Sequence, residues 1–292
     1  MRIGAVFPQL ELAGDVAMIR DWAQAVESLG YADVLVTEHV VGFRDEPAQS
    51  VYGPVVPQTP MQEPLVLFGY LAAVTRRIGL STGVLVLPQR QTTVVAKQAA
   101  AADMLSGGRL RLGVGAGYVP SEFRALNSDY HNRGARIVEQ IEVLRALWTE
   151  QVVSYNGHWH ELDAAGINPM PVQQPIPIWM GGMSDPAMRR AAKVSDGWMS
   201  ILATPDDKAR AVIERLHAYV AEAGRSTGDI GINVLLFARG VPADNWIEYA
   251  DAWRQLGVTD LSVDFTGCGY TTADQHIAAL HRGAEHLGLG PS

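Results

Sequence analysis

Acid–base chemistry near neutral pH calls for a histidine or a carboxylate, and "ADVLVTEH", residues 32 to 39, ends an apolar run on both. His39 can take up or release a proton in this range, and the adjoining Glu38 can orient it, so the two are read as the candidate catalytic pair. The alternative is that His39 only ties the following loop to its support. Two glycine-rich turns stand elsewhere in the chain. "GVGAGY" (113 to 118) supplies Gly115, Ala116, Gly117 and Tyr118, and "WMGGMSDP" (179 to 186) supplies Gly181, Gly182 and Met183. Glycines at such a place let a ligand approach the backbone or let the chain take a positive φ, and a tight turn without a ligand is the alternative. After the second pair, Ser184 or Asp185 can cap a helix whose first turn accommodates Pro186. "GVGAG" lacks the GxGxxG spacing of a dinucleotide fold, and it gains weight only because a second glycine-rich turn occurs.

Arginines add an anion argument. Arg133 and Arg136 open the helical pattern "RGARIVEQ", and Arg189 and Arg190 follow the second glycine turn. Helix N-termini with nearby arginines attract phosphate, whereas solvent exposure or ion pairing is the competing reading. His158 and His160 flank Trp159 and raise the question of a metal, but an exposed hairpin accounts for both and no metal site is expected. Cys268, the single cysteine, has no partner for a disulfide or a CxxC motif and reads as an ordinary thiol in a reducing compartment. The net charge of −8, from 31 acidic and 23 basic residues, argues against a nucleic-acid or anionic-membrane surface. No signal-peptide pattern opens the sequence, and no stretch reaches the roughly 18 apolar residues of a membrane helix. The expectation is a soluble cytoplasmic protein acting on a small molecule.

The elements that would position these residues alternate regularly. Short β-prone runs begin at "RIGAVF", "ADVLVTEH", "RIGLSTGVLVLP", "RLRLGVGAG", "PIPIWMGG", "DGWMSIL", "DIGINVLLFA" and "TDLSVDF", and each precedes a helical pattern. Eight strand-helix units with nearly continuous apolar strands predict an α/β fold, a parallel (β/α)8 barrel, with a doubly wound open sheet as the competitor. The spare length lies in the loop 40 to 62 and in an insertion, 150 to 175, whose "NG" turn predicts a hairpin outside the barrel. No linker divides the chain, so residues 1 to 292 are expected to form one domain.

Barrels of this kind carry chemistry at the C-terminal ends of their strands. Gathered there are Phe7, Pro8 and Gln9; Glu38 and His39; Gly83 and Val84 leading to Pro88 and Arg90; the 115 to 118 turn; the Gly181–Gly182 pair; Ser200; Phe237; and Asp264 and Thr266. Most are small or aromatic, which suits a flat ring system better than a hydrated metal. Loops 40 to 62 and 150 to 175, with Tyr52, Tyr155 and Trp159, would shape a partly apolar wall on the substrate side.

The stretch "GVLVLPQRQTTVVAKQAAAADMLSGGRLRLGVGAGY", followed by "EFRAL", "RGARIVEQIEVLRALW" and "GGMSDPAMRRAAKVSDGW", resembles the bacterial luciferase-like flavin and deazaflavin oxidoreductases. The likeness is collinear from Met1 to about Trp198 and looser beyond. It implies a (β/α)8 barrel with an insertion, a homodimer, and a tricyclic cofactor ring lying over a non-prolyl cis peptide, here Gly83 to Val84. It also implies that His39 lies near the ring, that Gly115 to Tyr118 contact the cofactor, that Gly181 to Met183 approach its ring or phosphate side, and that Arg136 belongs to the cofactor set. The pattern "SGGRLRLGVGAG" with "EF" and "RG" is more similar to the branch using coenzyme F420. That branch implies hydride transfer to or from an unidentified small organic substrate. An FMN-dependent monooxygenase is the alternative, and a barrel that binds a ligand without chemistry is a remote one.

Overall fold

Eight parallel strands close into a barrel: β1 (Arg2–Val6), β2 (Asp33–Val36), β5 (Gly79–Thr82), β7 (Leu110–Gly115), β10 (Ile178–Gly181), β11 (Gly197–Met199), β12 (Gly231–Phe237) and β13 (Asp260–Asp264). The computed structural model describes residues 1–12 and 14–290. Pairing runs around the ring in chain order, with Ala5 opposite Val34, Val34 opposite Leu80, Leu80 opposite Leu110 and Leu112 opposite Ile178. The β1–β13 ladder closes it. The strands are apolar on both faces because one face meets the barrel interior and the other the helices, so every residue of β2, β7 and β13 is buried.

The helices follow as expected: α2 (Val16–Ser28), α3 (Pro64–Val74), α4 (Thr92–Ser106), α6 (Arg133–Thr149), α7 (Asp185–Val194), α8 (Asp207–Glu222), α9 (Trp246–Gln255) and α10 (Ala273–His286). Asp15 caps α2 through its side chain, and Gly107 ends α4 at φ 70°. Ser184 occupies the position before α7 and Pro186 its first turn, but the serine hydroxyl makes no capping bond. No helix among the described residues is long and apolar enough to cross a membrane.

Three features go beyond the sequence reading. The run expected as one strand from 77 to 88 divides into β5 and a two-residue strand β6 (Leu85–Val86), which pairs with Val114 and Gly115 of β7. The break is the Gly83–Val84 bond, which is cis. Loop 40 to 62 contains a hairpin of β3 (Ala48–Ser50) and β4 (Gly53–Val55). Short helices α1 (Gln9–Leu12) and α5 (Pro120–Ala125) follow β1 and β7. As the "NG" turn predicts, the insertion forms a hairpin, β8 (Val153–Asn156) and β9 (Glu161–Ala165), as a separate two-stranded sheet.

Inside the ring, Val6, Leu35, Trp179, Met199 and Leu235 pack together, with Val84 and Phe237 on top and partly exposed. At the N-terminal end the Arg111 guanidinium lies 4.2 Å over Trp179 and 2.9 Å from Asp260, with Asp33 at 3.8 Å. A cavity of about 430 Å³ there is lined by Arg2, Asp33, Arg111 and Trp179 among others, and Arg2 and Arg111 pair with Asp33 and Asp260. This end is remote from the strand termini that carry His39 and the glycine turns.

Candidate functional site at the C-terminal mouth of the barrel

His39 leaves the end of β2 and is nearly buried. Its Nδ1 lies 2.9 Å from Oε1 of Glu122, a buried residue in the short helix α5. Gln89 donates to the other Glu122 oxygen at 3.3 Å. An ionised Glu122 holds the proton of a neutral His39 on Nδ1 and leaves Nε2 as a proton acceptor, and it stabilises the imidazolium once that proton arrives. Nε2 lies 3.5 Å from the Tyr118 hydroxyl, and the two rings meet edge to face with centroids 6.0 Å apart. Tyr118 donates in turn to the Gln49 carbonyl at 2.8 Å. Burial, and then the nearby Glu122 charge, push the Tyr118 phenol up, so it stays a neutral donor.

Glu38 is engaged elsewhere, which corrects the expectation that it orients His39. One of its oxygens accepts from the Val86 N–H at 3.1 Å and the other pairs with Arg90 at 2.5 Å. Arg90 also reaches Glu63 at 2.9 Å. Consecutive residues of an extended chain project to opposite sides, so the neighbour of a histidine is poorly placed to serve it. Burial raises the Glu38 carboxyl above the usual range, opposed by Arg90 and the Val86 N–H. Glu38 thus braces the segment after the cis peptide.

The glycines collect around that segment. A Cβ at Gly115 would come within 2.6 Å of the Val84 side chain, and one at Gly181 within 3.0 Å of it. Gly182 has φ +123° and Gly117 φ +76°, and a Cβ at Gly117 would meet Val86 at 2.5 Å. Gly83 itself lies against Leu35, at 2.6 Å by the same measure. Close packing of β6 and positive φ therefore account for these glycines within the chain itself. Ala116 and Met183 lean against the core.

Three arginines stand at one side of the mouth with no carboxylate within 4.0 Å among the described residues. Arg133 donates to the carbonyls of Gly117 (3.1 Å) and Tyr130 (2.8 Å), and Arg136 to that of Pro88 (3.2 Å). Arg190 lies beside Gly134 at the start of α6. Burial and then the Arg133 charge lower the Arg190 pKa. The Nε atoms of Arg136 and Arg190 are buried without a partner. Arg189 points elsewhere: it pairs with Glu222 and lies 3.9 Å over Tyr219. His160 is occupied too, bonding Glu139 at 2.8 Å and Thr92 at 2.6 Å.

Glu122 is the candidate site residue that sequence reasoning left without a role. The signal was the "EF" pair after "GVGAGYVPS", where a carboxylate follows the glycine turn on a new helical turn.

The architecture is that of an oxidoreductase-type (β/α)8 barrel, with His39, Glu122 and the glycine turns gathered at the strand C-termini. The family model of luciferase-like monooxygenases matches residues 3–288, and the chain belongs to that family. An uncharacterised protein of Mycobacterium tuberculosis is 33% identical over 264 residues, spanning 89% of this chain and 88% of its own. An FMNH2-dependent dimethylsulfone monooxygenase of Pseudomonas putida is 30% identical over 58% of this chain and 47% of its own, and an F420-dependent glucose-6-phosphate dehydrogenase of Amycolatopsis mediterranei 28% identical over 61% and 51%. Among solved structures, the coenzyme F420-dependent tetrahydromethanopterin reductase of Methanopyrus kandleri superposes with a TM-score of 0.77 at 14% identity, and the monooxygenase RslO1 of Streptomyces bottropensis with 0.72 at 20%. Each likeness covers 98% of both chains.

Proposed function

We propose that this chain is a coenzyme F420-dependent oxidoreductase in which His39 moves a proton to or from a small organic substrate. The observation that carries the reading is the 2.9 Å bond between His39 Nδ1 and the buried Glu122, which leaves Nε2 available for proton transfer. The residues present fit a ring cofactor with an anionic tail. Val84 and Phe237 offer an apolar bed, and Arg133, Arg136 and Arg190 offer cations uncommitted to carboxylates, two of them with buried, unpartnered Nε atoms. Gly115 to Tyr118 and Gly181 to Met183 would flank the cofactor. When bound, the deazaflavin supplies hydride exchange at its C5 carbon. The chain's own part is alignment, the proton at His39 Nε2, and the Glu122 charge that stabilises the imidazolium. The full-length likeness to an F420-dependent reductase supports this choice of cofactor. The P. putida relative favours the second reading, an FMN-dependent monooxygenase in the same mouth.

The same proposal includes a homodimer. The outward face of α3 carries Val66, Gly69, Tyr70, Ala73 and Val74 without one charge, and Val94, Met104 and Leu105 are exposed on the adjoining α4. An apolar stripe on the outside of a barrel helix is covered in the working assembly. Anaerobic turnover of the F420-loaded protein on an alcohol and ketone panel, followed by deazaflavin absorbance, tests the activity. Turnover only with reduced FMN and oxygen contradicts it.

A further inference from the structure

We infer that the substrate is an uncharged, largely apolar molecule with a single carbonyl or hydroxyl oxygen; this rests on the reading of the mouth as the reaction site. The β3–β4 hairpin spans that mouth. Tyr118, after β7, donates to Gln49 in the hairpin, and Arg239, after β12, donates to Val51 at its tip at 3.1 Å. Tyr52, beside Val51, stands next to Asp264 at the end of β13. In the ring of eight, β7 and β13 lie on opposite sides. The hairpin therefore roofs the space between His39 and the far rim.

Exposed apolar side chains stand around that space. Val40 and Val41 follow β2, Ile201 follows β11, Val51 lies on the hairpin and Tyr118 follows β7, with exposures between 36% and 58%. Beneath them lie Val84 and Phe237. The charged side chains at this rim are mostly engaged within the chain. Glu38 is paired with Arg90, and Glu122 with His39. Arg239 spends its donors on the carbonyls of Val51 and Thr266 and lies 4.9 Å over Phe237. Asp264 is buried and accepts from the Thr266 N–H at 2.9 Å. A charged substrate group would lose its water here without gaining a partner, whereas each methylene removed from water strengthens binding about fourfold. The polar anchor is His39 Nε2, which engages one oxygen, the Tyr118 hydroxyl proton being given to Gln49. Arg133, Arg136 and Arg190, which like Arg239 have no carboxylate partner within 4.0 Å among the described residues, lie beside Gly117 and Gly134, where the proposed function has already assigned them to the cofactor.

The test is binding and needs no turnover. Protein saturated with whichever cofactor it binds is titrated calorimetrically with cyclohexanone, cyclohexanol, cyclohexanecarboxylate and glucose 6-phosphate. Either neutral ring should bind at least tenfold more tightly than both anions, and Ile201→Asp should weaken it about tenfold with cofactor affinity unchanged. Tighter binding of either anion, no measurable binding of both neutral rings, or indifference to Ile201→Asp overturns the inference. Failure to bind either cofactor counts against the proposed function, and the same four titrations into the cofactor-free chain then decide the substrate class on its own.

Discussion

His39 and Glu122 illustrate what is legible in a sequence at the scale of single residues. His39 could be found because it ends an apolar run and so sits at a strand terminus. Its partner could not, because Glu122 lies 83 positions away and is brought in by α5. Adjacency suggested Glu38, whose side chain instead braces Arg90 and the β6 backbone. Three substitutions separate these roles. His39→Ala should lower turnover by about 10² to 10⁴ with the fold intact, and Glu122→Gln by about 10²-fold with a shifted pH profile for kcat. Glu38→Gln should act on stability, costing roughly 3 kcal/mol by leaving Arg90 short of a buried counter-ion, while the pH profile stays in place. Asp264 gives a prediction in pH. Burial chiefly raises its carboxyl above the unfolded value of about 3.9. The folded state thus holds this proton more tightly, and the cost of the charged form, present above the raised pKa, disappears as pH falls toward 3.9. Asp264→Asn should therefore raise Tm at pH 7 to 8, with the gain shrinking toward pH 4; a pH-independent difference would refute the assignment.

Elements were more legible than their interruptions. Helix α7 begins at Asp185 with Pro186 in its first turn, as the sequence predicts, and a helix follows each of the eight barrel strands. Apolar periodicity and caps specify such segments locally. The β3–β4 hairpin escaped notice because its strands are three residues each and one contains Pro54, so no alternation can develop. The division between β5 and β6 is also invisible to periodicity, because Ser81 and Thr82 are buried alongside their apolar neighbours. Around β6 the glycines of β7 and β10 are set by Val84, a relation that no single segment contains. Gly115→Ala should overpack this contact and cost about 1 to 3 kcal/mol. Combining it with Val84→Ala should recover part of that loss in a double-mutant cycle of urea midpoints. Strict additivity would show that the two side chains do not compete for the same space.

At the scale of the whole molecule, eightfold alternation identified the barrel and its C-terminal face, since parallel strands with outer helices leave few other ways to bury both faces. The outer surface was less legible, because α3 reads simply as an apolar helix until its buried side is known. If the Val66–Tyr70–Ala73 stripe is a subunit interface, Tyr70→Glu combined with Val66→Glu should shift light scattering from a dimer to the 31.6 kDa monomer without loss of helicity. A wild-type chain that is monomeric at every concentration contradicts this. The central claim concerns the cofactor, and its most direct test is a parallel fluorescence titration of the purified protein with coenzyme F420 and FMN. Binding of F420 in preference to FMN, weakened about tenfold or more by Arg136→Ala, is the predicted result. Micromolar binding of FMN with no measurable binding of F420 would contradict it.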